Sequence, residues 1–455
     1  MSEKPNVVFL IVDDLRPQLG CYGRSGMVTP SIDALAQRSA LFGRHFCQQA
    51  ICGPSRNHIF TGCRPDTTRV YDLQTRLSDR SPHLVTMPQH LKKHGYTTLT
   101  VGKVFHNPDD DPTGFTRLLR PAKSEQAGRG YLTAEAIQHA ETNTRALRDR
   151  GSTKHGMGPA FEVGPDDRPY QDELNVTAAV DALKTVGEEP FFLTVGFTRP
   201  HLPFCAPRSY WELYDPDVIE VPSVEPPRGC TPYSLTNWGE LRDYYGIPRE
   251  GPMPHDVART LIHGYYACVS YLDAQIGRVL AALDQSGARD NTIVVMCADH
   301  GMKLGEFGCW SKHTVFEADN HVPLLISVPG RDAVVTNRMT ENVDIFPTIC
   351  ALCGIDAPPQ IQGVDLSPLL DDPLAPWQDV ALMQYPRADV MAYAVRTPRF
   401  LYCEWRRRDT SVAVARELYD LDRDGEHENV IDRAAYADEI PTLAALLPEP
   451  RPTAG

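Results

Sequence analysis

The sequence predicts a layered α/β protein, with helices on both faces of a sheet and a small C-terminal antiparallel α+β subdomain. Three observations predict it. Short continuous apolar runs alternate with helix-period segments, as expected of strands buried on both faces between crossover helices. Several of these runs end abruptly in charged residues, and open α/β sheets gather ligands at the carboxyl ends of their strands. Past Gly363 the texture changes to proline spacing followed by short β-like runs, which divides the chain into a larger domain, 1–370, and a subdomain, 371–455.

In chain order, the first strand covers 6–12 and ends in Asp13-Asp14. A helix is expected over 31–42, capped by Ser31, with Ile32, Leu35, Ala36 and Ser39 along one side. The stretch Ile51-Cys52-Gly53-Pro54-Ser55-Arg56-Asn57-His58-Ile59-Phe60-Thr61-Gly62 reads as a helix start, because Pro54 suits a first turn, where its missing N–H costs nothing. Cys52 then falls just before the helix, where free backbone N–H groups and the positive dipole end favour an anion. Arg56, one turn on, can point back at the same spot.

A short helix is expected over 86–94, stopped by Gly95, and a strand over 96–101 that leads into Gly102-Lys103-Val104-Phe105-His106. Residues 107–170 are polar and rich in Gly and Pro, and read as excursions over the surface. A helix over 173–186 precedes a strand over 191–197, which ends in Thr198-Arg199-Pro200-His201. The proline-rich segment 221–254 is expected to be an irregular loop near the site mouth. Val257, Leu261, Tyr265, Val269, Leu272, Ile276, Val279 and Leu283 repeat every three or four residues and predict a long helix over 257–283, with Tyr265 and Tyr266 in the core. The strand at 292–297 ends in Ala298-Asp299-His300-Gly301, and another strand is expected over 321–328. Cys350 and Cys353 lie on a helix over 343–353 and are read as core-facing thiols. Runs at 381–384, 391–396, 400–404 and 417–421 and a terminal helix form the subdomain.

Bulk properties exclude some functions. The net charge of −14, from 45 Lys+Arg against 59 Asp+Glu, argues against a nucleic-acid surface but leaves room for a local cationic pocket. No segment reaches the ~18 apolar residues of a membrane span. The apolar run at 7–12 lacks the cleavage pattern of a secretory signal, so a cytoplasmic protein with reduced thiols is expected.

Four strand ends offer polar clusters: Asp13-Asp14, Lys103 with His106, His201, and Asp299-His300; Trp310-Ser311-Lys312-His313 is a fifth. Three carboxylates gathered at one sheet edge repel one another unless a cation lies between them. Oxygen ligands suit calcium or magnesium, whereas the imidazole of His300 suits manganese or zinc. His58, His263 and His313 are assigned mainly to structure, with His313 the first exception.

Cys52-x-Pro54-Ser55-Arg56 followed by Thr61-Gly62 resembles the signature of the type I sulfatases. Asp13-Asp14, Gly102-Lys103-x-x-His106, Asp299-His300-Gly301 and Lys312 resemble active-site elements of that family in the same order. Arg64-Pro65-Asp66-Thr67-Thr68-Arg69, Arg199-Pro200-His201-x-Pro203-Phe204 and Glu417-Leu418-Tyr419 resemble its iduronate-2-sulfatase branch. The resemblance spans nearly the whole chain and implies the alkaline-phosphatase-like fold and hydrolysis of a small anionic sulfate ester. It implies that a separate formylglycine-generating enzyme converts Cys52 to formylglycine (3-oxoalanine), whose hydrate is the nucleophile. It also implies one divalent metal on Asp13, Asp14, Cys52, Asp299 and His300, with calcium ahead of manganese, magnesium and zinc. Arg56, Lys103 and Lys312 would balance charge, His201 would act as acid and His106 as base. The rival readings are a phosphonate monoester or phosphodiester hydrolase with the same nucleophile, and a non-catalytic binding protein in which Cys52 stays a thiol.

Overall fold

In the computed structural model, which describes residues 4–124, 130–149, 156–187 and 189–449, the centre is a nine-stranded mixed sheet. Asn6–Val12, seven fully buried residues, lies between Phe191–Phe197 and Thr292–Ala298 and runs parallel to both. Thr97–Gly102 extends the parallel set beyond Phe191–Phe197. On the other side Leu324–Ser327 pairs antiparallel with Thr292–Ala298, and Ala40–Phe46 follows it.

Alternation along the first strand splits the core. Val8, Leu10 and Val12 face the cluster built on the long helix His255–Gln285, including Leu261, Val269 and Ile276. Val7, Phe9 and Ile11 face the opposite cluster, with Ile59 and Phe60 of the helix Cys52–Thr61 and Ile345, Phe346 and Ile349. Cys350 and Cys353 are buried in this second cluster, as expected of core-facing thiols.

Four strands running the same way bring their carboxyl ends to one rim. Val12 is in register with both Ala298 and Phe197, and Gly102 with Gly196. The residues that follow, Asp13-Asp14, Asp299-His300, Thr198 onward and Lys103, therefore emerge side by side. Gly102 has φ +76°, and a Cβ built on it would lie 2.0 Å from the Gly196 carbonyl oxygen, so no larger residue fits where the chain turns into Lys103.

Several expectations need correction. The helix read over 31–42 is Pro30–Ala36 only; the chain then enters the strand Ala40–Phe46. That strand pairs with Leu324–Ser327, His321–Val322 and Val334–Glu341, and these sheet partners override the helical spacing of the local sequence. The strand expected over 321–328 is two pieces, His321–Val322 and Leu324–Ser327, separated by Pro323, which cannot donate to a ladder. Part of the excursion expected over 107–170, residues 125–129 and 150–155, lies outside the described residues; the rest includes a helix, Ala134–Asp149, and a strand, Phe161–Gly164. That helix fully buries only Ala136 and Asn143 among its described residues and is polar over most of its length, so it reads as surface chain in the sequence.

The C-terminal antiparallel sheet has the order of the chain: Ala381–Arg387, Val390–Arg396, Phe400–Arg407 and Ala413–Asp420. One of its faces packs on Ile51, Phe307, Val315 and Phe316, beside the rim. No helix among the described residues is long and apolar enough to cross a membrane.

Candidate active site

The helix Cys52–Thr61 is buried along its whole length, and Cys52 is its first residue rather than the residue before it. Its start is tied to the rim by Ser55, whose hydroxyl donates to the Asp299 carbonyl. Cys52 Sγ lies 3.3 Å from His300 Nε2. One ligand atom from each of Asp13, Cys52, Asp299 and His300 lies within 4.8 Å of the others, and all four residues are buried.

This donor set fits a divalent cation. Two carboxylates, an imidazole and the residue-52 side chain converge from two strand ends and one helix. Among the described residues, Asp13 Oδ1 is buried with no hydrogen-bond partner, leaving a lone pair aimed inside the protein. The other Asp13 oxygen pairs with Lys103 Nζ. Asp14, the fifth expected ligand, stands beside the four rather than among them. Its carboxylate takes Lys312 Nζ at 3.0 Å on both oxygens and has His300 Nδ1 at 3.1 Å.

Asp14 has a left-handed backbone, φ +60°, unusual for a residue with a side chain. Both of its peptide groups are fastened. Its N–H donates to Asp299 Oδ1 at 3.2 Å, and Tyr265 Oη donates to its carbonyl at 2.8 Å. Tyr265, assigned to the core from its helical period, is core by its ring and site scaffold by its hydroxyl.

Charge is dense here and nearly balanced. Burial and Asp13 push the Cys52 thiol up, but Lys103, Lys312 and His300 together hold it well below the ordinary thiol range. Burial and Asp13 raise Asp299 to about 7 against the pull of His300 and Arg56. Burial and Lys312 oppose protonation of His201, yet Asp14, Asp13 and Glu240 carry it up to about 10.

Arg56 lies 2.8 Å from Asp299 Oδ2 through Nε and 3.7 Å from Asp13 Oδ1 through Nη2. Its Nη1 donates to the carbonyls of Lys103 and Val104. It therefore ties three rim loops together from beneath. His106 approaches residue 53: a Cβ on Gly53 would lie 3.7 Å from His106 Cβ. Lys312 comes from the far side, on a hairpin in which Lys303–Leu304 pairs with Trp310–Ser311. Ser311 and His313, flanking it, have φ +65° and +91°.

The structure thus brings Asp13, Asp14, Cys52, Arg56, Lys103, His201, Asp299, His300 and Lys312 into one network, with His106 at its edge. Sequence reasoning missed Glu240. It lies in the proline-rich segment, 3.2 Å from His201 Nε2 and 3.4 Å from Lys312 Nζ. Burial pushes its carboxyl up, but Lys312 and His201 outweigh this and hold it well below the usual range. One acidic residue in an aperiodic stretch carries no local signal of that contact.

Parallel strand ends delivering acids, cations and a helix-seated cysteine to a single rim define a hydrolase of the alkaline-phosphatase-like class. Within that class the chain belongs to the sulfatase family, whose model, described as Sulfatase, matches residues 5–355. A second model, described as N-sulphoglucosamine sulphohydrolase, C-terminal, matches residues 305–451. The chain is 32% identical to human iduronate 2-sulfatase over 479 residues, spanning 88% of this chain and 84% of that protein. It is 29% identical to choline-sulfatase of Rhizobium meliloti, spanning 88% and 78%. Among solved structures, one in complex with its substrate D-glucosamine-2-N,6-O-disulfate matches with a TM-score of 0.75 at 21% identity, covering 98% of this chain and 97% of that one. The phosphonate monoester hydrolase of Silicibacter pomeroyi matches with the same TM-score of 0.75 at 24% identity, covering 97% and 94%. At these identities the two structures speak to the fold.

Proposed function

We propose that this sulfatase cleaves a small sulfate monoester through an oxidised Cys52, the formylglycine of its family. The observation that carries the reading is the seat of Cys52: a buried helix start whose side chain shares a 4.8 Å cluster with Asp13, Asp299 and His300. Asp13, Asp299, His300 and the residue-52 side chain, with Asp14 beside them, would hold a divalent cation, calcium first; when bound, it neutralises the carboxylates and acidifies a hydroxyl.

The rest belongs to the chain. Hydrated formylglycine carries two hydroxyls on one carbon. One gives up its proton to solvent and its oxygen bonds to sulfur, while Lys103 and Lys312 offset charge on the sulfuryl oxygens. Arg56, expected to share that task, is held on Asp299, Asp13 and the Lys103 carbonyl and acts by fixing them. His201 gives its proton to the leaving oxygen as the S–O bond breaks. His106 then takes the proton of the second hydroxyl, sulfate departs and the aldehyde returns. A serine at this position has no second hydroxyl and would stay sulfated.

The test is intact mass of the peptide containing residue 52, expected about 18 Da lighter than the cysteine form, together with turnover of an aryl sulfate. An unmodified thiol in fully active protein would defeat the nucleophile. The same nucleophile suits a phosphonate monoester, the reading favoured by the fold match to a phosphonate monoester hydrolase. An aryl phosphonate assayed beside the aryl sulfate separates the two, and the sulfate is expected to be the better substrate.

A further inference from the structure

The segment at 221–254 contributes one carboxylate to the rim, and its geometry assigns it a task. Glu240 Oε1 is 3.2 Å from His201 Nε2, and its Oε2 is 3.4 Å from Lys312 Nζ. The same two groups also face Asp14, Lys312 at 3.0 Å and His201 at 3.7 Å. Asp14, Lys312, Glu240 and His201 therefore close a ring of alternating charge. Asp14 and Lys312 are its buried side; His201 and Glu240 are its more exposed side.

The turn that bears Glu240 is built to hold still. Gly239–Arg242 is a single helical turn anchored by the buried Trp238 and Leu241 on either side of the glutamate. The Arg242 guanidinium lies 3.4 Å from the centre of the Trp238 ring. It also donates to the carbonyls of Asn237 at 2.9 Å and of Pro248 and Gly251 at 2.8 Å. Glu240 is thus presented to the rim from a fixed backbone.

His201 needs such a partner. Its Nδ1 lies 2.6 Å from the carbonyl of Leu202, the next residue, so that bond travels with the loop and cannot by itself orient the ring. With Nδ1–H donated there, Nε2 is the nitrogen that faces the rim. Glu240 supplies the second fixed point, from an element remote in sequence.

We propose that Glu240 is a positioning residue for leaving-group protonation, acting through His201. This rests on the function proposed above. In that step the proton on His201 Nε2 passes to the leaving oxygen as the S–O bond breaks, and the ring remains neutral with its Nδ1–H on Leu202. Glu240 fixes the ring so that its Nε2–H edge faces the rim until the leaving oxygen replaces the carboxylate as acceptor of that hydrogen, and Glu240 does not itself exchange a proton with substrate.

The experiment compares an activated aryl sulfate, whose leaving group needs little protonation, with an unactivated alkyl sulfate, using kcat/KM of the full-length matured protein. Glu240→Ala is expected to lower the alkyl sulfate value roughly 10- to 100-fold and the activated aryl value by less than about 3-fold. Glu240→Gln, which keeps an acceptor at the same reach and guards against a folding defect, is expected to restore most of the alkyl sulfate activity. In a His201→Asn background, Glu240→Ala is expected to add no further selective loss. Equal losses on both esters, no loss on either, or a full additional loss in the double variant would overturn the inference. If the wild type cleaves neither ester, the proposed function fails and this inference with it. If it cleaves both and Glu240→Ala is unselective, this inference alone fails.

Discussion

Arg387 Nη2 donates to the His313 carbonyl at 2.9 Å, so the C-terminal sheet reaches the residue next to Lys312. The same guanidinium donates through Nε to the Tyr233 carbonyl at 3.2 Å, on the segment that carries Glu240. Left-handed backbone at Ser311 and His313 makes the Lys312 loop costly to hold in shape, and Arg387 is one of the groups that hold it. Arg387→Ala is expected to lower kcat/KM about 10-fold or more by misplacing Lys312, while circular dichroism shows the fold retained. Unchanged kinetics in a folded variant would show that the sheet has no hand in placing Lys312.

Cys52→Ala is expected to remove nearly all turnover and leave thermal stability close to that of the wild type. The side chain lost is small and sits in a cluster of charged groups, not in the apolar core. Retained turnover would require another nucleophile.

The metal cluster makes a stability prediction independent of activity. Asp13 and Asp299 repel each other in a buried site, and the raised Asp299 carboxyl reflects burial and that repulsion. A cation that binds only the folded state should stabilise it, by about 2.7 kcal/mol at 100 times its dissociation constant. Thermal melts of chelator-treated protein titrated with calcium, magnesium, manganese and zinc should show a rise in Tm, largest for calcium. No rise with any of the four would argue against a cation in this cluster.

His45 and His58 predict acid sensitivity. Burial carries both from 6.5 down to about 3, His58 with help from Arg64. The folded state therefore binds their protons less readily than the unfolded chain. Their contribution is fully present above pH 6.5 and is lost as pH falls toward 3. By linkage each costs about 1.6 kcal/mol between pH 6.5 and 5. Urea midpoints measured over that range should fall, and His58→Leu should flatten the slope. An equally steep slope in the variant would assign the acid sensitivity elsewhere.

The strands at Asn6–Val12, Phe191–Phe197 and Thr292–Ala298 were legible because burial on both faces leaves an unbroken apolar run. The residues just beyond them were legible for the same reason, since a charge at the end of such a run stands out. Ala40–Phe46 was not legible. It carries Gly43, Arg44 and His45, and the polar ring of His45 is satisfied only by Thr340 and Asn342, at 2.8 Å each, from a distant part of the chain. Glu240 and Arg387 were missed because each acts across the fold on a group that no local pattern names. Tyr265 shows a further difficulty, since periodicity assigns a ring to the core but cannot say where its hydroxyl points.

The burial of Cys52–Thr61 along its whole length sets a deadline for the proposed oxidation. If Cys52 is converted as proposed, the modifying enzyme needs access to a side chain that the finished fold packs inside, together with its neighbours Pro54 and Arg56. On that reading maturation would compete with folding in the newborn chain. Protein produced faster than the modifying enzyme can act should accumulate as a well-folded, inert fraction that later exposure to the same enzyme does not rescue.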